Sequence, residues 1–112
     1  MRRSKITVLL FAVLLLAAHG CGGGAPDEAA SSVSGETIYQ RFCFSCHATG
    51  AANAPKVGDP AAWAPIIAQG HDVMLKRSIE GIPPGMPPRG LCVQCTDGDL
   101  SAAIDYMVAH SE

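Results

Sequence analysis

Aromatic side chains are scarce in this 112-residue chain, which has one Trp, two Tyr and three Phe. Charge is scarce too, with eight basic and ten acidic residues and a formal charge of -2. So low a charge content excludes a disordered polyelectrolyte tail. The missing basic excess argues against a nucleic-acid binder, which carries a basic patch. No apolar run reaches the roughly 20 residues of a membrane-spanning helix. The longest, from Ile6 to Ala18, has 13 residues with Thr7 its single polar member. With so few large side chains, a chain of at most one domain has little from which to build a core.

Arg2, Arg3 and Lys5 precede that apolar run and small residues follow it, the pattern of a secretory signal peptide over residues 1–20. A buried core helix would carry a polar face, which the run lacks. Two endings of the leader fit. Ala18-His19-Gly20 offers small residues at the -3 and -1 positions for ordinary cleavage before Cys21. The stretch from Leu16 to Cys21 also resembles a bacterial lipoprotein signal, in which the Cys after the cut carries lipid; His19 and the distance of Leu16 from Cys21 depart from that pattern. Cys21 is thus a candidate lipidation site. Either ending implies export to a periplasm, where disulfides persist. Residues 21–34, rich in Gly, Ala and Ser, read as a flexible tether. The folded unit is expected over 35–112, small enough to need disulfides, metal or a cofactor. After residue 21 five basic and all ten acidic residues remain, a formal charge of -5 that suits either a partner with a basic docking surface or simple solubility.

Five cysteines are present. Two of them sit in Cys43-Phe44-Ser45-Cys46-His47, the C-x-x-C-H signature of c-type haem attachment. The spacing follows from the chemistry: two thiols add across two vinyl groups of one macrocycle, and the adjacent imidazole meets the iron from the proximal side. Three other readings of the pair compete. A thioredoxin-like redox pair requires a βαβ context that is missing. A zinc site formed with Cys92 and Cys95 would span 45 intervening residues and leave His47 idle. Chance occurrence is the third, against which the export signal fits maturation outside the cytoplasm.

The remaining pattern is helical. Ser34 is an expected N-cap with Glu36 in the first turn, followed by Ile38, Tyr39 and Phe42 on one face. Asp59-Pro60 predicts a helix start, Gly70 its end, and Pro65 a bend or a shortening. Asp72 opens a further segment with Val73, Met74, Leu75 and Ile79 available for burial. Thr96 and Asp99 form a capping-box pattern, ahead of a stripe of Leu100, Ala103, Ile104, Met107 and Val108. The expectation is an all-α fold of three to five short helices around one haem, with the macrocycle supplying the bulk that the aromatics do not.

Met86 is the expected second axial ligand. It lies in Gly81-Ile82-Pro83-Pro84-Gly85-Met86-Pro87-Pro88, which the prolines hold out of a helix and extended along the haem face. Gly85 is expected to permit close approach to the ring. Met74, Met107, His71 and His110 are the competitors; the two methionines read as packing residues, and His71 as a solvated cap. Cys92 and Cys95 are expected to be oxidised in an exported protein and to pin the Met86 loop to the last helix, with redox-active dithiol chemistry as the other reading.

Residues 35–110 resemble the class I cytochromes c and, within them, cytochrome c5. Gly35, Tyr39 and Tyr106 match the packing contact between first and last helices. Residues 50–59 and 62–70, the Gly85–Gly90 stretch, the Cys92/Cys95 pair and residues 102–107 carry the likeness to cytochrome c5. The resemblance implies a Cys92–Cys95 disulfide and a periplasmic, non-enzymatic single-electron carrier. Its expected partners are a membrane quinol-oxidising complex and a terminal oxidase or reductase. It also implies that the Pro55 carbonyl accepts a hydrogen bond from His47 and that Trp63 lies at the haem edge, donating to a propionate. A haem sensor or peroxidase-like domain with a labile sixth ligand is the alternative function, and a structural zinc or disulfide module a third.

Overall fold

The computed structural model describes residues 33–112, so the leader and most of the tether, with Cys21, lie outside the described residues. Ser34 caps the first helix, its hydroxyl accepting from the Thr37 amide at 3.2 Å. The chain then runs through α1 (Gly35–Ile38), a π-helical segment (Tyr39–Cys43) and α2 (Phe44–His47) without leaving helical backbone. The π segment ends on Cys43, the first residue of the C-x-x-C-H motif. Wide turns of this kind are rare and concentrate at functional sites.

Asp59 accepts from the Ala62 amide at 3.2 Å and Pro60 takes the first position of α3 (Pro60–Ile67). Pro65 lies inside this eight-residue helix. Helix α4 (His71–Glu80) begins one residue before the expected Asp72. Val73, expected to be available for burial, stays 38% exposed, because Met74 and Leu75 take the inward positions. The Thr96/Asp99 capping box is complete, with both reciprocal bonds at about 3 Å (3.1 and 2.8 Å), and starts α5 (Asp97–Ala109). Among the described residues the only β pairing is one isolated bridge between Ile82 and Met86. The all-α expectation holds.

Helix α5 is the spine. Its stripe buries Leu100, Ala103, Ile104 and Met107, at 2–6% exposure. Helix α1 crosses it closely at Gly35, where any Cβ would run into the Ala102 carbonyl. The same crossing brings the Tyr39 and Tyr106 rings to 5.2 Å between centroids, the contact the family resemblance implied. Two apolar clusters result. One joins Ile38, Leu100 and Ala103 to Cys92 and Cys95; the other joins Tyr39, Trp63, Met74, Ile104 and Met107.

Candidate haem site

Between these clusters opens an apolar cleft. Cys43, Cys46 and His47 line it from the end of the first helical run, Met86 from the proline loop, and Leu100, Ala103 and Ile104 from α5. Its mouth is open, and the roughly 600 Å³ of non-protein space it spans includes bulk solvent.

Cys43 and Cys46 are both free thiols, separated by three residues in helical backbone, which puts both on one face. Burial, helped by the neighbouring Cys46, pushes the Cys43 thiol up to about 11. Thioredoxin-like chemistry needs the opposite shift, toward a ready thiolate. Burial, together with Tyr106 and Cys43, also raises the Tyr39 phenol above its ordinary value.

His47 Nδ1 lies 2.9 Å from the Pro55 carbonyl. A carbonyl oxygen only accepts, so Nδ1 carries the proton and Nε2 keeps its lone pair, the tautomer a metal ligand needs. The His47 carbonyl in turn accepts from the Val57 amide at 2.7 Å.

Trp63 departs from the expectation. Its indole N–H donates to the Lys56 carbonyl at 2.8 Å, and the ring is 3% exposed, 6.1 Å from the His47 ring centroid to centroid. The backbone acceptor occupies the single donor an indole has, so a propionate bond is not available to it. Trp63 belongs to the wall behind His47 rather than to the lining of the cleft.

The Met86 loop also differs from a simple extended strap. Ile82 and Met86 exchange backbone bonds of 2.8 and 2.9 Å, closing a tight turn that presents Met86 at its end. Gly85 makes a close approach to the Ala52 carbonyl, 2.8 Å from where a Cβ would stand. Of the competing ligands, His71 Nε2 faces Asp105 at 3.1 Å and Ser101 at 3.2 Å, and His110 stacks on Tyr106 at 4.1 Å. Met74 and Met107 are buried in the second cluster, Met107 also bordering the cleft from α5.

Cys92 and Cys95 are joined in a disulfide with Cα atoms 5.4 Å apart, Cys92 fully buried. Two contributors were not read from sequence. Arg89 donates to the Cys95 carbonyl at 2.7 Å and to Asp97 at 2.8 Å, tying the Met86 loop to the start of α5. Ser111, 1% exposed, accepts from the Gly58 amide at 3.1 Å and donates to the Met107 carbonyl at 2.7 Å. Neither carries a local pattern; a lone Arg in a loop and a Ser near the C-terminus are ordinary surface residues until the fold brings partners to them.

The donor set fits a covalently attached haem: two thiols on one helix face, an imidazole of defined tautomer beside them and a thioether on the same apolar cleft. The class of protein this fold and cleft define is the c-type cytochrome.

Comparison with known proteins narrows the class. Residues 30–107 match the family model described as "Cytochrome C oxidase, cbb3-type, subunit III". Cytochrome c5 of Azotobacter vinelandii is 43% identical over 88 residues, covering 77% of this chain and 96% of that protein. Cytochrome c-555 of Chlorobaculum tepidum is 42% identical over 84 residues, 72% of this chain and 78% of the relative. Among solved structures, a chain in the crystal structure of the electron transfer complex of nitrite reductase with cytochrome c matches with TM-score 0.66 and 45% identity, over 70% of this chain and 94% of that one. A mono-haem ferrocytochrome c from Shewanella putrefaciens matches with TM-score 0.63 and 40% identity, over 71% and 96%. The chain belongs to the class I c-type cytochromes, in the cytochrome c5 family. Members of that family are electron carriers rather than enzymes, and the cofactor is one covalently attached haem c.

Proposed function

We propose that this protein is an exported, periplasmic electron carrier whose haem is attached through Cys43 and Cys46 and ligated by His47 and Met86. One observation carries the reading: two residues far apart in sequence, His47 and Met86, line the same apolar cleft as both free thiols. When bound, the haem supplies a one-electron ferric–ferrous couple.

The chain's own residues tune and guard that couple. Pro55 holds the His47 proton on Nδ1, leaving Nε2 as the donor. Met86 supplies a soft thioether, which favours the ferrous state and raises the potential. The apolar walls from α5 exclude water and disfavour a net charge in the cleft.

Partners are other redox proteins, meeting the exposed side of the cleft in small, transient contacts of below about 1,200 Å². A relative's structure in an electron transfer complex with nitrite reductase supports a reductase as one acceptor; a membrane quinol-oxidising complex is the expected donor. The basic start, apolar run and tether of residues 1–34 support export, with Cys21 as either a lipid anchor or a residue just past the cut.

The test is Met86→Ala in the haem-loaded protein. The expected outcome is a potential lower by on the order of 0.2 V, a fraction of the range axial ligands control, together with rapid carbon monoxide binding to the reduced form. An unchanged potential and a closed iron would point to another ligand and sink the assignment.

A further inference from the structure

The peptide between Lys56 and Val57 is held from both sides. Its carbonyl accepts the Trp63 indole hydrogen at 2.8 Å, and its N–H donates to the His47 carbonyl at 2.7 Å. The preceding carbonyl, that of Pro55, takes the His47 ring proton at 2.9 Å. The next residue, Gly58, has its amide bound to the buried Ser111 hydroxyl at 3.1 Å. Trp63 itself is immobilised: it is 3% exposed, and its amide bonds to Asp59 at 3.1 Å. A partly buried hydrogen-bond chain therefore runs from the rigid start of α3, through one peptide group, to both the backbone and the ring of His47.

We propose that Trp63 is a positioning residue for His47: its indole N–H fixes the Lys56–Val57 peptide and, with it, the Pro55 carbonyl that polarises the imidazole. The proposal rests on the reading of His47 as an axial ligand. A strong bond at Nδ1 raises the basicity of Nε2, and a more basic donor stabilises ferric iron over ferrous. Trp63 thus holds the reduction potential down from a distance, opposing the effect a Met86 thioether would have on a bound haem. Loss of the indole donor releases the Lys56–Val57 peptide, and the adjoining Pro55 carbonyl loses its fixed position with it.

Trp63→Phe in the haem-loaded protein keeps the aromatic packing and deletes only the donor. The expected result is a potential raised above that of the unaltered protein. His47 Nδ1–H exchange, followed by NMR, should be faster by on the order of tenfold, as expected for a buried bond weakened by the loss of its support. An unchanged potential and an unchanged ring-proton exchange, with only a lower melting temperature, would reduce Trp63 to packing and overturn the proposal. Should the variant fail to mature, the unaltered protein supplies the second measurement. The Trp63 indole hydrogen, the Val57 amide and the His47 ring proton should show a common protection factor, each rate divided by that group's intrinsic exchange rate, since they open together. An indole protection factor about tenfold or more below that of the ring proton would overturn the coupling. Failure of the ligation reading is separately visible, as a wild-type spectrum without the low-spin His/Met signature.

Discussion

Two residues matter here through something other than a reactive side chain. Pro55 contributes only a backbone carbonyl, but that acceptor decides which ring nitrogen carries the proton. Gly35 contributes only the lack of a side chain. Its Cα rests on the Ala102 carbonyl, so the crossing of α1 over α5 exists because nothing is there. Gly35→Ala should push the helices apart and cost about 1–3 kcal/mol, the usual penalty for overfilling a tight contact. Thermal melting of the haem-loaded protein checks it, and a melting temperature within a degree of the unaltered protein would refute the contact. Tyr39, stacked on Tyr106 at the same crossing, should be disturbed along with it. Pro55 and Gly35 were both singled out by family resemblance, whereas Trp63 was given the wrong acceptor. An indole near a haem has two eligible partners, and only the path of the backbone decides that Lys56 is nearer.

At the scale of elements, the proline loop and the disulfide behave as one unit. The turn closed by Ile82 and Met86, the Arg89 guanidinium and the Cys92–Cys95 bond hold the loop against the N-terminus of α5. A four-residue disulfide loop stabilises by only about 2 kcal/mol through chain entropy, but here it also lies in the core with Ile38 and Leu100. Replacing both cysteines by Ser should therefore lower stability by at least that amount while leaving haem attached, since Cys43 and Cys46 are a separate pair. Denaturant unfolding and a haem-stained gel measure the two halves of the expectation, and loss of haem would assign those cysteines a further role. Helix boundaries were legible at this scale because capping is local: Ser34, Asp59 and Thr96 each bond within three residues. The π segment was not legible, since nothing in Tyr39–Cys43 departs from an ordinary helical sequence.

The whole molecule is organised around a space. Two apolar clusters stand on either side of the cleft and share α5 as a common wall. Five aromatics in the described residues are too few to fill such an interior, and a haem bound in the cleft would complete it. Replacing Cys43 and Cys46 by Ala, so that haem is not retained covalently, should yield a chain with much reduced helical circular dichroism. Native-like helicity in that chain without haem would show that the protein core suffices alone. Among the described residues no helix is long and apolar enough to cross a membrane.

What the sequence determined by itself was what depends on neighbours along the chain. The C-x-x-C-H motif, the caps and the α5 stripe are readable because haem attachment, N-capping and helical periodicity act over one or two turns. Tertiary structure decided the rest, because hydrogen-bond partners distant in sequence leave no local trace. It assigned the Trp63 donor to Lys56, gave Arg89 and Ser111 their partners, and brought Met86 across some forty residues to the cleft that His47 lines. Those are choices among several chemically eligible groups, and only the packed backbone brings one of them within bonding distance.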